Sequence, residues 1–360
     1  MQYDVYIIEI YVIIIGIDIV ITYKYKDMNE RYYFIDYLKA FAVISVIFTH
    51  SYFANTIREN FIISYFVNMA VPIFMLITGF NYANSYLKKG ISDILQMYNF
   101  KLLAKKNFRL ALPFTVILII EYLCHFKDLA KYNFIGNFFT GGIGRGNYYF
   151  PVMLQIIAIF PLLYLGLQKI GKNFIYFILI ISVAFEIFCA GICMKNGFYR
   201  LISIRYFLYV CLGAWLAISA KISNNKLLVS FFIGLNAITL FMYNSDAITY
   251  PFTHWKHTNI IFAFYIFPIF AYIFYNYSSF KFDNIFGKIL SVIGKASWHI
   301  FLVQMFLYGA LNEWNCFEKF QTSTDSIITV LLCIFVGIIF YCAEDFLRKI
   351  TKQLCLKSCK

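Results

Sequence analysis

Apolar runs that approach twenty residues recur along the whole chain, and this recurrence limits the fold more than any single motif. A helix needs about 20 residues to cross a hydrocarbon core of about 30 Å. Runs near 34–53, 61–82, 109–124, 148–168, 173–193, 201–220, 226–244, 257–276, 289–311 and 326–347 come within reach of that length. They are continuous, as from Ile117 to Ile120 or from Phe177 to Ile181, whereas the strands of a membrane barrel alternate in polarity. Only 14% of the residues are charged and 61% are hydrophobic, against about a quarter charged in a typical soluble domain. The expected fold is an all-α polytopic membrane protein, a bundle of about ten transmembrane helices. A single anchor with a large soluble domain is excluded.

Charge then orients the bundle. The formal charge is +13, and its distribution argues against a nucleic-acid partner. Twenty Lys and Arg fall in the tail and in loops on one side of the expected spans against eight on the other, which is the bias of loops kept in the cytoplasm. Both ends of the ten-span body, the C-terminus included, are thereby expected in the cytoplasm of a cell whose inner membrane holds the chain. Residues 1–28 are apolar but interrupted by Asp4, Glu9 and Asp18, each costing about 2.5–3.5 kcal/mol at the centre of a span. They read as a candidate eleventh helix, as an interfacial segment, or as an extension upstream of a native start at Met28. The start is acidic rather than basic, unlike a secretory signal. The division expected is a 1–28 extension, a membrane body over 29–350 and a basic cytoplasmic tail over 351–360. Nine cysteines lie mostly in apolar runs without paired CxxC spacing, so they read as small hydrophobes and no metal site is expected. No inverted repeat of broken helices, of the kind many transporters show, is visible.

Ionisable residues inside spans carry the functional signal, because each is expensive in hydrocarbon. The first span holds Asp36, Lys39 and His50. Lys39 and His50 are eleven residues apart, about three turns and roughly 16 Å along one face. Asp36 and Lys39 are three apart and can pair. Imidazole can act as base and then acid near neutrality; the structural alternative is a core histidine bonded to Ser45 or Thr49, with Lys39 snorkelling to the surface. Lys106 and Arg109 share a helix face before Pro113 and suit the phosphates of a nucleotide-bearing donor, or ordinary positive-inside anchoring. Arg205, within the sixth run, is either a site charge or the partner of a buried acid such as Glu186. The stretch from Gly141 to Gly146 lacks the ending of a phosphate loop and reads as a flexible turn. His125, His254 and His257 read as interfacial, and His299 is ambiguous.

The run from Arg31 through Asp36 and Lys39 to His50 resembles the opening helix of the acyltransferase 3 family of membrane O-acyltransferases. Val71, Pro72, Phe74 and the triplet Thr78, Gly79, Phe80 look like that family's second-span signature. Lys106 through Arg109 to Pro113 is similar to its paired-cation motif. Tyr148 to Gln155, Arg205 to Gly213, and Ile293 through Ser297 to Gln304 match later segments in order. The family usually has Arg where Lys39 and Lys106 stand, so the planar bidentate fork is lost while the charge is kept. It often has His where Gln304 stands, which removes an acid-base role there.

The resemblance implies transfer of an acyl group, most often acetyl from acetyl-CoA, to a hydroxyl of a cell-envelope polysaccharide or lipid-linked saccharide, with no bound cofactor. It implies donor binding by Lys106, Arg109 and Arg205, and catalysis by His50 with Lys39 and Asp36. The aromatic residues Tyr148, Tyr149 and Phe150 would stack on sugar rings, although interfacial belts use the same side chains. The rival class is a transporter or flippase for an envelope lipid or small anion, which would use the buried charges as a path and release no CoA. Oligomeric state and the acceptor's identity have no readable code.

Overall fold

The structure, a computed structural model, describes residues 32–50, 69–124, 133–219, 223–243, 260–277, 282, 284–313 and 323–358. The expectations for residues 1–28, for the start of the second span and for His125, His254 and His257 lie outside the described residues. The regular secondary structure of the described residues is helical, with no strand among them. The helices are α1 (Tyr33–His50), α2 (Ala70–Lys88), α3 (Ile94–Met97), α4 (Phe100–Cys124), α5 (Phe134–Thr140), α6 (Tyr149–Ile170) and α7 (Asn173–Gly191). They continue as α8 (Asn196–Leu201), α9 (Phe207–Ile218), α10 (Asn224–Tyr243), α11 (Ile261–Tyr277), α12 (Ile285–Lys295), α13 (Ser297–Glu313) and α14 (Ser323–Ser358).

A helix lies at each of the ten expected runs. Among the described residues, five stretches are long and apolar enough to cross a membrane by length and composition alone: Tyr33–His50, Ile94–Cys124, Tyr149–Ile170, Asn173–Gly191 and Ile327–Thr351. Counting the bent pair α12 and α13 as one span makes six, and Ser203–Ile218 and Ile261–Tyr277 are apolar but shorter. The exposed side chains fit a lipid surroundings: α14 presents Ile328, Leu331, Leu332, Phe335 and Ile339 outward, spaced as one helix face. The chain is a multi-pass membrane protein. Its apolar composition does not sort the cysteines uniformly: Cys189, Cys211 and Cys333 are buried, whereas Cys124, Cys193 and Cys342 are exposed.

The chain packs as two compact units, one from the described residues of 32–35, 69–104 and 152–277, the other from those of 36–50, 105–151 and 282–358. In the first unit, α2 and α9 cross with their backbones touching. A Cβ on Gly79 would collide with the Val210 carbonyl oxygen, and one on Gly213 with that of Leu76. Small residues of this kind are what let helices approach in lipid, where no expulsion of water drives them together. Gly234 does the same for α10 against Phe264 of α11. Around them an aromatic core joins Tyr32, Phe34, Phe80, Phe270 and Phe274 with centroid spacings of 5.0–5.7 Å.

In the second unit, α12 lies against the first turns of α1. Gly294 is seated on the Asp36 carbonyl oxygen, the Ser291 hydroxyl donates to Asp36 Oδ2 at 3.3 Å, and the Phe282 amide donates to the Tyr37 hydroxyl at 3.1 Å. Gly337 of α14 packs on Ile300 of α13. His299 of α13 meets the Glu344 carboxylate of α14, and Arg348 meets the other oxygen of the same group. The buried His299–Glu344 contact joins the two helices, and Arg348, more exposed and on α14 itself, flanks it.

Two boundaries differ from the sequence reading. The run 289–311 is two helices, bent by 67°, because α12 ends at Lys295 and Ala296 turns the chain. The run 201–220 does not begin as an α-helix: Ile202 is extended and Ser203–Tyr206 is a 3-10 turn, so Arg205 stands at the approach to α9 rather than within it. By contrast Pro113, Pro161 and Pro268 sit inside unbroken helices, as membrane helices tolerate. The basic stretch after residue 350 continues α14 as far as Ser358.

Candidate active site

His50 is the last described residue of α1. The Arg145 guanidinium reaches its backbone, Nη1 donating to the His50 carbonyl oxygen at 2.9 Å. Arg145 lies in the glycine-rich stretch read as a flexible turn, and the structure gives that stretch a fixed shape. Gly141, Gly142 and Gly146 have φ of 94°, 91° and 89°, a region that residues with a Cβ avoid. Asn147 Nδ2 closes the loop onto the Gly142 carbonyl at 3.0 Å.

The loop is packed as well as bent. A Cβ on Gly144 would strike the Met305 carbonyl, and one on Gly142 would lie 3.0 Å from Glu121 Oε2. Gln304, fully buried, donates from Nε2 to the Arg145 carbonyl at 3.4 Å. At Gly146 a Cβ would sit 3.1 Å from Phe301 Cζ and 3.6 Å from His50 Nε2. The imidazole edge therefore faces backbone that carries no side chain. Beside it, Tyr149, Trp298 and Phe301 form a mutual aromatic contact at 5.3–5.8 Å, with Trp298 and Phe301 12° from parallel.

Charges gather nearer the start of α1. Lys39 is half-buried and lies in the electrostatic reach of both the Asp36 carboxylate and the Arg109 guanidinium. The Asp36 carboxylate takes the Ser291 hydroxyl. On α4, Arg109 is exposed and Lys106 half-buried, its Nζ withdrawn from solvent. Asp36, Lys39 and Arg109 are brought together; His50 stands about three turns along α1 from Lys39.

Arg205 belongs to the other unit. It is 3% exposed, its guanidinium carbon 4.7 Å from the centroids of both Tyr199 and Tyr206 and within reach of the Glu186 charge. Tyr199 donates its hydroxyl to Glu186 at 3.0–3.1 Å. Gln155 of α6 holds the turn that carries Arg205: Nε2 donates to the Leu201 carbonyl at 2.6 Å and Oε1 accepts from the Ser203 amide at 3.1 Å. Of the two sequence alternatives for Arg205, this environment supports the partner of a buried acid.

Sequence reasoning passed over Glu121, Arg145 and Glu344. The signal for Glu121 and Glu344 was available, since a carboxylate inside an apolar run is as expensive as a cation. Phe150, grouped with Tyr148 and Tyr149 as a stacking residue, is buried and stacks on Phe114 at 3.8 Å, so only its two neighbours remain half-exposed.

A family model described as an acyltransferase domain, that of the acyltransferase 3 family, matches residues 32–343. No curated protein and no solved structure matches the chain.

Proposed function

The chain belongs to the acyltransferase 3 family and is a membrane acyltransferase; from that premise we propose that it moves an acyl group, acetyl foremost, from acyl-CoA to a hydroxyl of a cell-envelope polysaccharide or lipid-linked saccharide. The observation that carries the reading is the placing on α1 of Lys39, beside Asp36 and Arg109, about three turns from His50, whose Nε2 edge faces Gly146. Lys106 and Arg109, with Lys39 next to Arg109, would hold the donor phosphates. His50 would take the acceptor proton at Nε2. The acceptor oxygen then attacks the thioester carbonyl carbon; the C–O bond forms, the C–S bond breaks, and the CoA sulfur receives the proton from His50. The products are an ester and free CoA thiol, and the histidine is returned neutral. The Asp36 carboxylate keeps Lys39 placed. Ten spans, an inner-membrane location and a cytoplasmic C-terminus complete the proposal, with the donor on the cytoplasmic side, where the positive-inside bias puts Lys106 and Arg109.

The test is CoA thiol release by membranes holding the full chain, together with base-labile acetate on the host's surface glycan. His50→Ala is expected to abolish both at unchanged membrane levels. Retained release would remove His50 as the base. Lys106→Ala with Arg109→Ala is expected to raise the donor KM about tenfold or more while leaving the acceptor KM unchanged. A transporter would release no CoA thiol in any variant.

A further inference from the structure

The glycine loop is held from several directions for a sequence that reads as a flexible turn. Arg145 ends on the His50 carbonyl, Gln304 on the Arg145 carbonyl, and Asn147 on that of Gly142. Gly144 is seated on Met305. Three residues hold the left-handed backbone that glycine alone adopts without strain. Such loops often cradle anions, but here the one cation of the loop is directed at a carbonyl, and the Glu121 carboxylate lies against Gly142. The local charge opposes a phosphate and suits a neutral, hydroxyl-bearing guest.

Gly146 is the position that meets His50. Absence of a side chain there leaves the Nε2 edge and the Phe301 ring bordering the same spot. Tyr149 and Trp298, both half-exposed, extend that border as an aromatic face. Aromatic faces accept the C–H faces of a pyranose ring, while the ring's hydroxyls point sideways to polar groups. We propose that the Gly141–Asn147 loop is the acceptor-side positioning element of this enzyme: Arg145 fixes His50 through its carbonyl, and Gly146 with Tyr149, Trp298 and Phe301 seats a sugar ring so that its hydroxyl meets Nε2. The proposal rests on the reading of His50 as the base. It assigns Arg145 a positioning role and Tyr149 and Trp298 a role in acceptor specificity.

The experiment uses the full chain in membranes, acetyl-CoA as donor, base-deacetylated envelope polysaccharide of the host as acceptor, and thiol release as the readout. Arg145→Ala is expected to lower kcat about ten- to a hundredfold with the donor KM unchanged, the penalty for a slightly misplaced base, and Arg145→Lys to recover part of it. Tyr149→Ala and Trp298→Ala are expected to raise the acceptor KM roughly two- to tenfold and to leave the donor KM alone. Gly146→Ala is expected to raise the acceptor KM as well. Wild-type kinetics in Arg145→Ala and Tyr149→Ala beside an inactive His50→Ala would overturn the positioning proposal alone. Losses that track membrane protein level, or that shift donor and acceptor KM equally, would reduce the loop to scaffolding and overturn it too. An active His50→Ala would instead overturn the reading on which it rests.

Discussion

Gln155 shows how one side chain can fix a site it does not touch. Its amide satisfies a carbonyl and an amide of the backbone that brings in Arg205. Gln155→Leu strands both groups and is expected to cost about 1–3 kcal/mol, read as a lowered Tm of the purified protein in detergent. Arg205 offers a sharper case. Removing it as Arg205→Met leaves the buried Glu186 carboxyl without its neighbouring guanidinium, an effect of about 3–5 kcal/mol for buried pairs. Glu186→Gln in the same chain is expected to return much of the loss, and a double-mutant cycle measures the coupling. Additive losses, or a donor KM that moves without a change in Tm, would return Arg205 to the donor site. At this scale the sequence was informative where burial makes a residue costly: Asp36, Lys39, His50 and Arg205 stand out against hydrocarbon. It was silent about the glycine loop, because the contacts that fix Gly144 and Arg145 come from Met305 and Gln304, some 160 positions away. A run of glycines reads the same whether the turn is free or clamped.

Among elements, the crossing of α2 and α9 depends on two glycines that each face the other helix's backbone. Gly79→Ala and Gly213→Ala are each expected to reduce the folded, monodisperse fraction in size-exclusion chromatography. Gly191→Ala and Gly197→Ala, where a Cβ meets nothing within 4 Å, are expected to leave it unchanged. Equal behaviour of all four would mean that the close crossing is unnecessary. The existence of the helices was legible because hydropathy sums over many residues and tolerates local errors. The break between α12 and α13 was not: no proline marks it, and the short stretch Gly294, Lys295, Ala296, Ser297 is too brief to divide the apolar run. Just before the break Gly294 is seated on the Asp36 carbonyl, and a one-dimensional pattern holds no record of such contacts. The same applies to the 3-10 turn before α9, which is held by Gln155. The exposed face of α12, Ile285, Phe286, Ile289 and Val292, recurs at helical spacing with Lys288 and Lys295 outside it, the pattern of a helix lying in a membrane interface. Lys288 and Lys295 are exposed and are expected to react with a membrane-impermeant amine reagent on the cytoplasmic side. Labelling only after detergent is added would place α12 deeper.

At the scale of the whole molecule, the asymmetry of Lys and Arg sets a direction that can be read from its last residues. A reporter fused after Lys360 is expected to fluoresce as green fluorescent protein and to be inactive as alkaline phosphatase in a bacterial host. The opposite pair of results would invert the topology and move Lys106 and Arg109 away from the donor. The crossing of α2 on α9 has a consequence in temperature. Cores assembled by release of water owe their strength to a term that fades on cooling and carries a large heat-capacity change. Two backbones pressed together at Gly79 and Gly213 gain dispersion and close dipolar contact instead, and these vary little with temperature. Chilling, which loosens a water-driven interface, leaves this one as tight as it was.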